Sequence, residues 1–197
     1  MRLNEVLSDN KMDEQRIWAP WRIGYVAGSD ATQEPQLAPQ QWQPSSEETC
    51  FLCRAAATYA DQVAADRKNL VVTRGTGILT MLNRYPYTNG HLLVAPLRHV
   101  GQLHSLTSEE HLAAMDALST FTKILSTQLS AEGFNVGLNL GRVAGAGVPG
   151  HLHWHLVPRW SGDNNFMSTV AGTRVIPQSL EAVWEVLSGA SEANDES

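Results

Sequence analysis

The sequence predicts an α+β fold: an antiparallel sheet of about five strands, covered on one face by one long helix, with N-terminal and C-terminal extensions. Short β-rich runs bounded by turn residues recur from residue 70 to 96 and again from 135. Between them lies a single long stretch, 107–129, whose apolar residues return at spacings of three and four. At 197 residues the chain is long enough for one well-packed domain of ordinary size and short of two.

Composition narrows the class. Hydrophobic residues at 43% and charged ones at 17% describe a soluble globular protein, and no apolar run approaches the ~20 residues of a membrane span. The first ten residues contain acids and no apolar core of a secretory signal, so the expected compartment is the cytoplasm. A net charge of -6 argues against a nucleic-acid polymer as partner, because such backbones are bound by broad basic surfaces. A small polyphosphate held at a local site remains compatible with that charge.

Taken in order, residues 1–17 are polar and unpatterned, which predicts a mobile lead-in. Trp18-Ala19-Pro20-Trp21-Arg22 sets two tryptophans close together, and rings of that size leave water only when they find a surface. This segment is expected to dock on the domain or on a second subunit. From Gly28 to Glu48 the chain turns to Gln, Pro, Ser and Glu around a single Trp42, the composition of a linker. Residues 1–48 therefore read as extension and linker, 49–189 as the folded domain, and 190–197 as a disordered acidic tail.

Cys50 and Cys53, the only cysteines, form one C-x-x-C. They offer half a zinc site, a redox pair or two packed thiols; zinc wants four N or S ligands, and no βαβ pattern supports a thioredoxin-like role. Residues 55–66, rich in alanine and acids, predict a short helix. Leu70-Val71-Val72-Thr73 and Gly77-Ile78-Leu79-Thr80-Met81-Leu82 read as a hairpin, 83–90 as a loop with an Asn-Gly turn, and His91-Leu92-Leu93-Val94-Ala95-Pro96 as the next strand. Thr107 and Glu110 form a capping box ahead of a helix whose apolar face is Leu112, Met115, Leu118, Phe121, Ile124, Leu125 and Leu129, with Gly133 as its stop. Asn135-Val136-Gly137-Leu138-Asn139 is a fourth strand. A loop with Gly141, Gly145, Gly147 and Gly150 leads to the fifth, and Ser179 opens a last helix holding Val183, Trp184 and Leu187.

The fifth strand carries the chemistry. In Gly150-His151-Leu152-His153-Trp154-His155-Leu156 three of the seven histidines alternate with large apolar residues, so on a strand His151, His153 and His155 share one face and Leu152, Trp154 and Leu156 the core face. Buried ring nitrogens must all find partners, a load that packing alone rarely requires. A histidine-rich surface strand is the bland alternative. Two functional readings stand beside it: a metal site, or a nucleophilic histidine flanked by helpers.

At these residues the chain resembles the histidine-triad family of nucleotide hydrolases and transferases, whose signature is His-x-His-x-His followed by apolar residues. Pro158-Arg159-Trp160-Ser161-Gly162-Asp163 narrows the resemblance to the fragile-histidine-triad branch. The stretches 133–141, 163–166 and 175–178 resemble the diadenosine tetraphosphate phosphorylases of that branch. The likeness covers roughly residues 69–188 and the 18–22 segment.

The resemblance implies a homodimeric catalytic domain that attacks the α-phosphate of a dinucleoside polyphosphate with His153, forming a nucleotidyl-histidine. It gives His155 the role of donor to a phosphate oxygen or leaving group, His91 that of support within the triad, Asn139 a contact near the phosphate and Asn83 the ribose hydroxyls. It also implies a structural zinc on Cys50, Cys53, His99 and His151, and no organic cofactor. The amides around Gly145 and Gly147 can approach a phosphate closely, and Arg159 and Trp160 complete the expected substrate set. Two departures bear on substrate choice: the triad ends in His155 rather than Gln, which argues against transfer to a sugar phosphate, and Gly147 stands where relatives carry Ser or Gln.

The acceptor for the nucleotidyl group is expected to be inorganic phosphate, giving ADP and ATP. The nearest competitor is a hydrolase that releases AMP from dinucleoside polyphosphates or phosphoramidates. Two rivals come from other classes: a nucleotide-sensing module that binds without turnover, and a triad that itself holds a catalytic zinc.

Overall fold

The computed structural model describes residues 37–163 and 176–195. The expected lead-in, the 18–22 docking segment and residues 164–166 and 175 of the phosphorylase-like stretches lie outside the described residues. Five strands, β1 (Val71–Arg74), β2 (Ile78–Leu82), β3 (Leu92–Pro96), β4 (Gly133–Leu138) and β5 (Trp154–Arg159), form one sheet in the order β1-β2-β3-β5-β4. Every neighbouring pair is antiparallel. The α+β fold expected from the sequence is the fold observed, with β5, the strand that continues the triad, flanked on both sides.

Why the sheet has two covered faces is visible in β2, where all five residues are buried. Ile78 and Leu82 join Leu92, Val94, Trp154 and Leu156 against the long helix α3 (Ser108–Leu129) and the last helix α4 (Leu180–Asp195). Leu79 and Met81 join Leu93 and Ala95 in a second cluster under helix α1 (Phe51–Ala56), which contributes Leu52, Cys53, Ala55 and Ala56. Each large aliphatic side chain taken fully out of water contributes roughly 1.5–3 kcal/mol. Among the described residues no helix is long and apolar enough to cross a membrane.

Helix α3 begins where the sequence placed it. Thr107 accepts from the Glu110 amide and the Glu110 carboxylate accepts from the Thr107 amide, a complete capping box. Its buried face is Ala114, Leu118, Phe121, Ile124 and Leu125, whereas Leu112 and Met115 are 63% and 48% exposed. The expected apolar face is corrected at its first turns, where Ala114 is the residue that meets the core. The stop is corrected too: Ser130 takes the left-handed conformation at φ 53°, its amide donates to the Leu125 carbonyl, and Gly133 already belongs to β4.

Three further expectations change. The short helix of 55–66 is two helices, α1 and α2 (Gln62–Asn69), because Asp61 caps the second by accepting from the Ala64 amide. Of the expected linker, residues 37–48 include Gln41, bridged to Thr58, and Trp42, packed on both the α1 cluster and the Ala57–Tyr59–Ala65 cluster. The expected disordered tail is helical to Asp195: Val183, Leu187 and Ser191 recur at a spacing of four on one buried face. Trp184 ties the same helix to the sheet by donating its indole N–H to the Val71 carbonyl.

Glu110 carries two duties, since it also takes Arg98 in a two-pronged pair at 2.6 and 2.8 Å. The Arg98 guanidinium holds its carboxyl below the usual range of 4.5, helped by the Thr107 amide against the cost of burial. A carboxyl depressed in the folded state stabilises above its unfolded pKa, and that contribution is lost as pH falls through the folded value. Glu110→Gln should therefore lower stability by about 1 kcal/mol at pH 7. Urea denaturation of both proteins should show the difference shrinking as pH drops below about 4.

Candidate active site

The chain enters β5 from an extended segment in which the apolar residues keep their alternation. Leu152, Trp154 and Leu156 are 3%, 6% and 0% exposed in the core under α3, so the histidines between them face the α1 side. Register fixes where the ladder starts: β3 pairs with β5 only at Leu92–Leu156, Leu93–His155 and Val94–Trp154. Only His155 is inside the strand; His151 and His153 precede it, with the Leu152 amide donating instead to the Val100 carbonyl at 2.7 Å. Gly137 of β4 lies opposite His155, so no side chain crowds that ring from the neighbouring strand.

The partners of each ring determine where its proton sits. His153 Nδ1 is 2.9 Å from the His151 carbonyl, which can only accept, so Nδ1 carries the proton and Nε2 the lone pair. Desolvation keeps the His153 ring neutral by lowering its pKa, and the hydrogen bond to His151 opposes this only in part. His91 Nδ1 receives the Tyr87 amide at 3.1 Å and lies 3.3 Å from the Asn83 amide nitrogen. Asn83 Oδ1 accepts from the Tyr85 amide, which orients the nitrogen as donor. His91 therefore donates from Nε2 to His155 Nδ1 at 3.0 Å, and His155 keeps its proton on Nε2. The rings of His153 and His155 meet edge to face, centroids 5.1 Å apart, placing a lone pair and a donor side by side.

His151 turns the other way. Its Nε2–H donates to the Pro96 carbonyl at 2.8 Å, which leaves Nδ1 facing Cys50 Sγ and Cys53 Sγ, both at 3.4 Å. His99 Nδ1 is 3.1 Å from Cys53 Sγ, and the four ligand atoms all lie within 4.8 Å of one another. Ligand atoms about 2.0–2.3 Å from a tetrahedral ion sit roughly 3.3–3.8 Å apart, so these residues fit a Cys2His2 metal site. Burial pushes the Cys50 thiol up to about 12 and His151 down to about 4, so without a cation these two groups are held in their neutral forms. Among the described residues this is the group of three or more ligands that could hold a metal, and His153 and His155 are outside it.

A family model described as HIT domain matches residues 65–162. Over 173 residues, 88% of this chain and 82% of the relative, the sequence is 38% identical to the AP-4-A phosphorylase of Mycobacterium tuberculosis. The chain belongs to the histidine-triad (HIT) family. A second relative, the bis(5'-adenosyl)-triphosphatase of Saccharomyces cerevisiae, is 35% identical over 85 residues, 43% of this chain and 41% of that one. Among solved structures, a Zn-bound histidine triad family protein from Mycobacterium smegmatis matches with TM-score 0.53 and 26% identity, covering 64% of this chain and 86% of that one.

Within this HIT fold the other expected site residues divide. His91, His151, His153 and His155 converge, and so do Cys50, Cys53, His99 and His151. Asn139 leaves the sheet directly after the Leu138–Trp154 pair, beside the entry of β5, and a Cβ on Gly145 would lie 4.0 Å from its amide nitrogen. Gly145 itself has φ 86°, at the end of a single 3-10 turn, Arg142–Ala144; Gly147 is exposed on the same loop. Asn83 is 7% exposed, and its amide is committed to His91 and Tyr85, so its observed duty is to orient His91.

Arg159 and Trp160 are not brought to the triad in this chain. Six strand residues at about 3.3 Å each put Arg159 some 20 Å along β5 from His153. There it pairs with Asp163 and donates to Asn135. Trp160 donates its indole N–H to the Leu129 carbonyl and so closes the end of α3. Residues that no sequence motif singled out take part instead: Tyr87 stacks on His91 at 5.0 Å, Glu47 Oε1 lies 3.3 Å from His99 Nε2, and Gly101 lets the glycine loop pass behind His99. The Gln/Glu-rich setting of Glu47 and the tyrosine-rich loop around Tyr87 gave no spacing signal for these contacts.

Gly101 yields a direct expectation. A Cβ there would sit 2.5 Å from the Pro149 carbonyl and 3.1 Å from Gly150, both backbone, so the loop must move. Gly101→Ala should cost about 1–3 kcal/mol in thermal or urea unfolding, whereas Gly137→Ala, with nothing within 4 Å, should change stability little.

Proposed function

We propose that this protein cleaves dinucleoside polyphosphates at the α-phosphate through a nucleotidyl intermediate on His153, with inorganic phosphate as the acceptor. The observation that carries this reading is the hydrogen bond from His153 Nδ1 to the His151 carbonyl, which leaves the Nε2 lone pair as nucleophile and stabilises the charge the ring gains on attack. The AP-4-A phosphorylase likeness supports the substrate and the phosphate acceptor. The triphosphatase relative supports the polyphosphate class.

In the first step Nε2 bonds to the α-phosphorus and the bond to the bridging oxygen breaks, releasing the remaining nucleotide; with diadenosine tetraphosphate that product is ATP. His155 offers its Nε2–H to the oxygen that gains charge, and His91, held by Tyr87 and Asn83, keeps His155 in that tautomer. Amides of the 141–150 loop, where Gly141 and Gly145 have φ of 79° and 86°, are the candidates for the phosphate oxygens, together with Asn139. In the second step phosphate attacks the same phosphorus, the P–N bond breaks, and ADP leaves with His153 regenerated.

The ion we assign to the Cys50–Cys53–His99–His151 cluster is zinc, in a closed four-ligand site whose role is structural. We also propose a homodimer formed along β4. This strand is one of the two sheet edges, and Val136 on it is 51% exposed, an arrangement that monomers usually avoid. The compartment proposed is the cytoplasm.

Product analysis tests the acceptor. At saturating phosphate the expected products of diadenosine tetraphosphate are ADP and ATP; AMP with ATP would make the enzyme a hydrolase. His153→Ala should lower kcat by at least about 10³-fold while leaving one zinc per chain. Elemental analysis should find that zinc lost in Cys50→Ser, and a metal-free wild type would refute the zinc assignment.

A further inference from the structure

We propose that the Cys50–Cys53–His99–His151 cluster, loaded with its metal ion, is the positioning device that selects the tautomer of His153. The proposal rests on the reading of His153 as nucleophile, because only the Nδ1–H tautomer presents a lone pair on Nε2.

His151 is tied at three separate atoms. Its Nδ1 faces the two sulfurs, its Nε2 donates to the Pro96 carbonyl, and its own carbonyl receives His153 Nδ1–H. The ring is fully buried. That carbonyl shares a planar trans peptide with the Leu152 amide, so the direction of one group dictates the direction of the other. The Leu152 amide donates to the carbonyl of Val100, and Val100 follows His99, itself a ligand of the cluster. Both ends of the plane that holds the nucleophile's proton are thus anchored in the cluster: Cα151 through the ring of His151, and N152 through the segment of His99.

The glycine loop adds a third constraint on the same crossing, since a Cβ on Gly150 would lie 2.9 Å from His99 Nε2. Held by four ligands around one ion, the 96–101 and 148–152 segments keep one separation. Without that centre, His151 keeps its bond to the Pro96 carbonyl and His99 its contact with Glu47, but their links to Cys50 and Cys53 fall to weak thiol contacts. The two tautomers of an imidazole differ little by themselves, so one hydrogen bond to a fixed carbonyl sets their ratio by about tenfold. His151 is therefore a positioning residue for His153 as well as a ligand.

The test uses the full chain with 15N-labelled histidine and reads the His153 ring by two-bond proton–nitrogen correlation, at a pH where the ring is neutral. Zinc-loaded protein should show a protonated Nδ1 and an unprotonated Nε2. Protein stripped by a chelator should show averaged nitrogens, regain the single tautomer when zinc is restored, and lose at least tenfold in single-turnover nucleotidyl transfer while stripped. If stripping unfolds the chain, His99→Gln, which alters a ligand outside the triad and retains the other three, serves in its place and should show the same averaging. A folded, metal-free or His99→Gln protein that keeps a single Nδ1–H tautomer overturns the proposal. That outcome leaves the chemistry of His153 standing, and a zinc-dependent tautomer without any nucleotidyl intermediate would refute the chemistry and leave the coupling.

Discussion

One hydrogen bond of 2.9 Å, from His153 Nδ1 to the carbonyl of His151, decides what this site can do. A neutral imidazole has one proton for two nitrogens, and placing it on Nδ1 is what makes Nε2 a nucleophile. The carbonyl can perform that duty because His151 is itself immobilised, with both ring nitrogens engaged and no exposed surface. On the other side of His153 a second series of contacts, from Tyr87 and Asn83 through His91, places the proton of His155 on the opposite nitrogen. Neighbouring rings in one short segment thus present a lone pair and a donor, chemistry that random protonation would not provide.

The sheet makes this arrangement possible by having two unlike faces. Leu152, Trp154 and Leu156 bury against α3 and α4 and hold the segment by apolar packing alone, which leaves the alternate positions for polar work. The opposite face is divided: β2 and β3 carry Leu79, Met81 and Leu93 under α1, and β5 with the segment before it carries the histidines. Helix α1 brings Cys50 and Cys53 to the end of that face, where the segment after β3 delivers His99. The cluster that could hold a metal and the triad share His151, so a single residue belongs to both groups.

Much of this was legible in the sequence because it depends on local periodicity. The alternation in 151–156 told which residues face the core, the Thr107–Glu110 spacing marked the start of α3, and the Asn89-Gly90 turn fell where φ of Gly90 is 70°. The ligand partners of Cys50 and Cys53 followed from family likeness, since nothing local links residues 50, 99 and 151. What was not legible depends on distance along a strand or on tertiary contact. Arg159 is near His153 in sequence and about 20 Å away because a strand is extended. Trp160 looked like a ligand contact and closes a helix end, since its indole N–H meets the Leu129 carbonyl. The acidic composition of 190–195 hid a helix whose buried face needs only one residue in four.

If His153 is the nucleophile, it becomes covalently nucleotidylated during turnover. Wild-type protein mixed with diadenosine tetraphosphate in the absence of phosphate, quenched in alkali within the first turnover and mapped by peptide mass spectrometry, measures this directly. The expected result is an adenylate on the peptide containing residues 150–159, localised to His153, which disappears when phosphate is added before the quench. Turnover with no adduct on any histidine, or an adduct on His155 or His151, would contradict it.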